Sequence, residues 1–236
     1  MGKLGLSVAV AALASIAQPA AAAVTVVNNE VVLSGSGGSW TVNYDGYGEN
    51  PGLGVIPGLS SKIEFTFVNF TNGGKTANLT YTITNNSALD SRLSVFGFLT
   101  SAPLSAATTS SSQPFDLNLV GSFTLPNAGQ LPISVCFKDQ GQGNNCNNGQ
   151  AGVDDGVTTA VGTIALGLQN AVNQLALSNW VVRYQSTATT SGSAIGRGTV
   201  LVNGVPEPAT WAMMIGGFGL LGTTLRRRRR AIVAAA

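Results

Sequence analysis

The chain reads as a mainly β protein: an antiparallel β-sandwich or jelly-roll-like ectodomain between an N-terminal signal peptide and a C-terminal single transmembrane helix. Three observations lead there. Apolar and polar residues alternate with period two in several short runs, the mark of half-buried strands. Gly, Ser and Asn clusters separate those runs and supply turns. Charged residues make up only 9% of the sequence, and Lys-, Glu- and Ala-rich helical patterns are missing between the two ends. A polar but weakly charged surface of this kind suits an extracellular β protein.

Taken in order, the strand candidates start with Val24–Leu33 and Ser39–Tyr44. Next come Ile63, Phe65 and Phe67, alternating with Glu64 and Thr66, and Leu79, Tyr81 and Ile83, alternating with Thr80, Thr82 and Thr84. These two runs flank Thr71-Asn72-Gly73-Gly74, so a hairpin is expected there. Arg92–Leu99, Leu119–Leu125, Ile133–Phe137, Thr158–Leu168, the alternating Trp180–Gln185 and Thr199–Val202 complete the set. Gln169–Leu177 fits either a short helix or another segment. Ser34–Ser39, Asp45–Leu59, Ser101–Pro114 and Ser186–Ser193 read as loops. No repeat of fixed period is present.

The two ends carry different signals. Met1 to Ala23 has Lys3 in its n-region, an apolar stretch from Leu4 to Ala17 and small residues before a cleavage point between Ala23 and Val24. That is the layout of a secretory signal peptide, read by the Sec translocon and signal peptidase. At the other end, Ala209 to Leu225 is an uncharged stretch of 17 residues. As a helix it spans about 26 Å, the lower limit for a bilayer core. Trp211 sits at one end of it, and Arg226, Arg227, Arg228, Arg229 and Arg230 form a membrane stop at the other. The positive-inside rule places those arginines in the cytoplasm. Pro206 and Pro208 prevent a helix from continuing upstream. The domain plan is therefore 1–23 signal peptide, 24–205 ectodomain, 206–230 anchor with transmembrane helix 209–225, and a 231–236 tail.

Pro206-Glu207-Pro208, Trp211-Ala212-Met213, the Gly-rich Gly216 to Gly219 and the arginine run together resemble a PEP-CTERM sorting signal, in its variant with Trp-Ala after the tripeptide. The resemblance implies recognition by an exosortase, a membrane-embedded enzyme that cuts near Pro-Glu-Pro. It further implies transient anchoring in the inner membrane with the ectodomain in the periplasm, followed by the cell surface or the extracellular matrix. Exopolysaccharide and biofilm are the implied surroundings. One departure is the Ala231–Ala236 extension after the arginines.

The formal charge of +2 belongs to the tail. Between Val24 and Val205 six basic residues face nine acidic ones, a balance of −3. No basic patch is left for nucleic acid. The sequence contains no histidine, which excludes Ser-His-Asp and Cys-His nucleophile systems and histidine-based metal sites. A Ser-Lys pair at Ser61-Lys62 fails because neighbours on a strand point to opposite faces. No catalytic residue is expected.

Cys136 and Cys146 are the only cysteines. In an oxidising periplasm a bridge between them is the default. It closes a polar loop that buries little of its own, with a gain of about 2.5–3 kcal/mol in the chain-entropy model. The residues around it also resemble the cistern subgroup of PEP-CTERM proteins. Asp45, Glu49, Asp139, Asp154 and Asp155 offer oxygen ligands for Ca²⁺ in loops, but their spacing matches no EF-hand or Gly-Asp repeat; no cofactor or metal is expected, with Ca²⁺ the alternative. Trp40, Tyr44 and Tyr47 are candidate glycan contacts, set against the ordinary reading of core Trp and edge Tyr. The expectation is an exported, non-enzymatic envelope or matrix protein; the alternatives are a lectin-like carbohydrate-binding module and a retained single-pass membrane protein.

Overall fold

The structure is a computed structural model describing residues 23–48, 54–111, 115–124, 131–139, 143, 145–147, 149–156, 159–187 and 192–202. The signal segment up to residue 22, the Pro-Glu-Pro tripeptide, Trp211, the expected span 209–225 and Arg226–Arg230 lie outside these residues. Among the described residues no helix is long and apolar enough to cross a membrane.

The strands are β1 (Val24–Val27), β2 (Glu30–Ser34), β3 (Ser39–Gly48), β4 (Val55–Thr71), β5 (Thr76–Asn85), β6 (Arg92–Thr100), β7 (Leu104–Ser111), β8 (Leu117–Thr124), β9 (Pro132–Lys138), β10 (Val153–Asp154), β11 (Thr159–Leu168), β12 (Gln174–Gln185) and β13 (Ser193–Val202). They form one antiparallel sheet in the order β7-β11-β5-β4-β3-β13-β12-β6-β9-β8. The β1–β2 hairpin adds to β12, and β10 adds to β6. Asn118 Nδ2 on β8 donates to the Ala107 carbonyl on β7. The two ends of the strand order therefore meet, and the sheet is nearly a closed barrel. Closure of this kind removes the exposed edges that an open sheet would leave. The expected antiparallel β class is observed, with its faces belonging to one continuous sheet.

The expected hairpin joins β4 to β5 through a 3-10 turn at Asn72–Gly74, where Gly73 has φ 64°. Alternation places Ile63, Phe65, Phe67, Leu79, Tyr81 and Ile83 inside, all nearly solvent-free. They meet an aromatic cluster in which Trp40 stacks on Phe65 at 5.3 Å between centroids and Trp180 lies 5.4 Å from Phe65 and 5.2 Å from Phe98. Each such side chain removed from water contributes about 1.5–3 kcal/mol. β13 crosses this crowded interior with glycines: a Cβ on Gly198 would sit 2.5 Å from Trp180 Cβ and 2.5 Å from Val42 Cγ1.

A second, smaller apolar cluster contains Val95, Ile133, Cys136, Cys146, Val181 and Ile195. Val95, Val181 and Ile195 lie on the outer face of β6, β12 and β13. These strands are consequently buried on both sides over part of their length.

Four local expectations change. Val24–Leu33 is a hairpin rather than one strand, because Asn28 and Asn29 take positive φ (49° and 66°), which asparagine tolerates. Much of the Asp45–Leu59 stretch extends β3 and β4. Ser101–Pro114 contains β7, which contributes little apolar surface but pairs with β11 along most of its length. The helix option at Gln169–Leu177 gives way to β12, whose Leu175 and Leu177 alternate into the core and pair with β2.

Candidate functional site

Cys136 on β9 is bonded to Cys146, with Cα atoms 6.0 Å apart. Both sulfurs are buried and join the outer apolar cluster. The bridge draws the loop after β9 over Val95, Val181 and Ile195. Lys138, at the end of β9, is fully buried beneath it. Its Nζ donates to the carbonyls of Gly143 at 3.1 Å and Asn145 at 3.3 Å. Burial lowers the Lys138 pKa, and neighbouring Asp139 opposes that shift. The Asp139 carboxylate accepts from the backbone N–H groups of Gln150 at 2.9 Å and Ala151 at 3.1 Å. Disulfide, lysine and aspartate thus hold three successive parts of one Gly- and Asn-rich segment. The cysteine pair was legible in the sequence; the two polar anchors beside it were not.

The candidate glycan contacts separate. Trp40 and Tyr44 are 0% and 1% exposed, inside the sheet with Val42 between them, so neither presents a ring to a sugar. This corrects their reading as glycan contacts: a strand places residues two and four apart on one face, and apolar Val42 marked that face as the inner one. Tyr47 is half-buried and carries the Arg197 guanidinium 5.3 Å from its ring centroid. Tyr184 faces inward beside Tyr44, and its hydroxyl shares a 2.7 Å hydrogen bond with Ser61 Oγ. Burial pushes the Tyr44 pKa well above the ordinary value, with Tyr184 adding to it. The Tyr184 pKa is also raised by burial, against the Ser61 hydrogen bond.

Ser61 is buried, whereas Lys62 turns outward to pair with Glu64 at 3.5 Å. The strand therefore keeps serine and lysine apart. Of the loop carboxylates, Asp139 is engaged as above, Asp155 accepts from Ser91 N at 3.0 Å, Asp45 and Asp154 are exposed, and Glu49 lies outside the described residues. Among the described residues, no three of His, Cys, Asp and Glu gather in a metal-binding arrangement. Val24, on the exported side of the expected cleavage point, is the first residue of β1, and the carbonyl of Ala23 accepts from Ser34 N at 2.7 Å.

The outer face of the β3–β4–β5–β11–β7 region carries a row of hydroxyls. Ser39, Thr66, Thr80, Thr163 and Ser110 stand in register across five adjacent strands. Ser39 Oγ and Thr66 Oγ1 are 2.8 Å apart.

No curated protein matches the chain. Residues 204–230 match the family model for the PEP-CTERM protein-sorting motif. The match covers the Pro-Glu-Pro tripeptide, the apolar stretch and the arginine run, the same residues that carry the resemblance in the sequence. Residues 204–230 are accordingly a PEP-CTERM sorting motif, which marks an exported protein addressed to an exosortase.

Proposed function

We propose that the chain is a non-enzymatic component of the bacterial envelope or extracellular matrix, associated with exopolysaccharide. The sorting motif over residues 204–230 carries this reading. The Sec translocon exports the chain, and signal peptidase trims it between Ala23 and Val24. Residues 209–225 then hold it in the inner membrane until the exosortase cuts near Pro206-Glu207-Pro208. Several features support a structural rather than catalytic role. Histidine is absent from the sequence, Ser61 and Lys62 face opposite ways, and the outer rows of Thr and Ser offer hydroxyls without net charge. A hydroxyl- and methyl-bearing face of this kind is compatible with a hydrated glycan network. The cysteine-closed loop supports placement in the cistern subgroup.

Mass spectrometry of the exported protein tests the processing step. The expected mature form begins at Val24 and lacks Arg226 to Arg230. A cell-surface or matrix form that retains those arginines would instead support the retained single-pass alternative.

A further inference from the structure

A cleft of about 620 Å³ opens where β6, β12 and β13 meet the segment behind the disulfide loop. Arg92 opens β6 and stands in register with Gln185 on β12, which in turn stands in register with Ser193 on β13. Arg183 lies two residues before Gln185 and also lines the cleft. Positive φ at Ser186 (52°) and Gly192 (67°) turns the chain away from the strand ends. The facing wall is Gly149 and Gln150, held by Asp139 through the Gln150 N–H. Gly149 presses so closely on β6 that a Cβ there would sit 2.6 Å from the Ser94 carbonyl oxygen.

The lining chemistry is one-sided. Arg92 Nη2 donates to Ser186 Oγ at 3.0 Å, and Arg183 Nη2 donates to Ser193 Oγ at 3.4 Å. Arg92 Nε is a buried donor with no acceptor among the described residues. Among those residues no carboxylate lies within 4.0 Å of the Arg92 guanidinium. Asp154 is paired with Arg92 in the β10–β6 register but is exposed and does not reach it. Asp139 points its oxygens at backbone N–H groups. Two guanidinium groups therefore line one cleft alongside two amides and two hydroxyls, in a domain whose overall balance is acidic. A planar carboxylate fits the fork of donors that the Arg92 guanidinium presents. The amides and hydroxyls suit the hydroxyl groups of a sugar ring, and the volume lies in the range of small-ligand sites. Among the described residues, no aromatic or aliphatic side chain lines the cleft to favour an apolar ligand.

We propose that this cleft binds a carboxylate-bearing sugar, a uronic acid unit of an acidic glycan; the source of that glycan rests on the matrix role argued above. Titration calorimetry of the full chain in mild detergent, with an oligogalacturonate and a neutral oligoglucoside of equal length, tests it. The oligogalacturonate should bind and weaken as salt rises, while the neutral oligomer should not bind. Arg92→Gln, checked for folding by circular dichroism, should weaken binding about tenfold or more, as expected for losing a charge-assisted hydrogen-bond donor. Equal affinity in wild type and Arg92→Gln overturns the proposal. So does equal binding of the neutral oligomer, or full displacement of the oligogalacturonate by an equal concentration of inorganic phosphate, which would define a small-anion site. Uronate binding by a protein that never reaches the matrix would support the cleft and overturn the matrix role.

Discussion

β5 buries every second side chain, with Leu79, Tyr81 and Ile83 inside and Thr80, Thr82 and Thr84 turned outward, whereas β6, the next strand in the chain, buries Leu93 through Phe98 on both faces. The first pattern suffices when only the inside of the sheet needs covering. The second requires something to lie over the outer face, and the segment doing so is rich in Gly, Asn and Gln, which bury little. The disulfide resolves that mismatch. Cys146 supplies the apolar contact itself, and the covalent closure restrains a segment that has few contacts of its own. The two sides of one sheet therefore rely on different means: packing alone on one, packing with a covalent clasp and a buried lysine on the other.

The contrast can be broken most sharply at Ile195, which is fully buried in the outer cluster. Ile195→Ala should cost about 2–5 kcal/mol in chemical denaturation. A cost as small as that of a surface change would mean the outer cluster is not a second core. Next in size, replacing Cys136 and Cys146 together with serine should cost about 2.5–3 kcal/mol. Hydrogen exchange should then rise in residues 143–156 and on the outer side of β6, while β4 and β5 keep their protection.

A smaller effect probes the interior that both sides share. Tyr184→Phe removes the Ser61 hydrogen bond and should cost about 1 kcal/mol. Burial raises the pKa of Tyr44 and Tyr184 above the ordinary 10.0, so the folded chain holds these protons where the unfolded chain releases them. Their contribution is fully present below pH 10 and declines as pH rises beyond it. Unfolding followed from pH 8 to pH 12 should show that decline, and Tyr184→Phe should make it shallower. Smallest of all, Thr80→Ala on the outer face of β5 should change stability by no more than about 0.5 kcal/mol. A larger loss would mean that the hydroxyl rows hold the sheet together rather than dress its surface.

The same contrast explains what could be read from the sequence. β4, β5 and β11 announce themselves by alternation, because one face meets water. In β7 only Leu104 and Ala107 are buried among the side chains described, so nothing local distinguishes it from a Ser/Thr-rich loop; its pairing with β11 supplies the reason to be a strand. The stretch leading into β12 mixes Ala171, Val172, Leu175 and Leu177 at spacings that suit either period, and only the partner strand β2 decides. For the candidate sites, the cysteine pair and the sorting motif are local and were readable. The arginine cleft joins residues some 94 positions apart, as in the Arg92–Ser186 hydrogen bond, and no sequence window contains both. Trp40 and Tyr44 kept two readings open for the opposite reason: their neighbours in sequence include a loop, while their side chains share a face with Val42, and only the glycan reading falls.

β13 is the last described strand before the sorting motif, and it lies between β3 and β12 rather than at an edge. Asn29 adds a clasp from the first hairpin, donating to the Gly198 carbonyl at 2.8 Å and accepting from Val200 N. A pull along β13 from beyond Val202 first meets the β3 ladder and the Asn29 clasp, then both ladders from Arg197 inward, instead of peeling one strand from a free edge. A domain held by its C-terminal end while surrounding polymer drags on it would take that load on an interior strand.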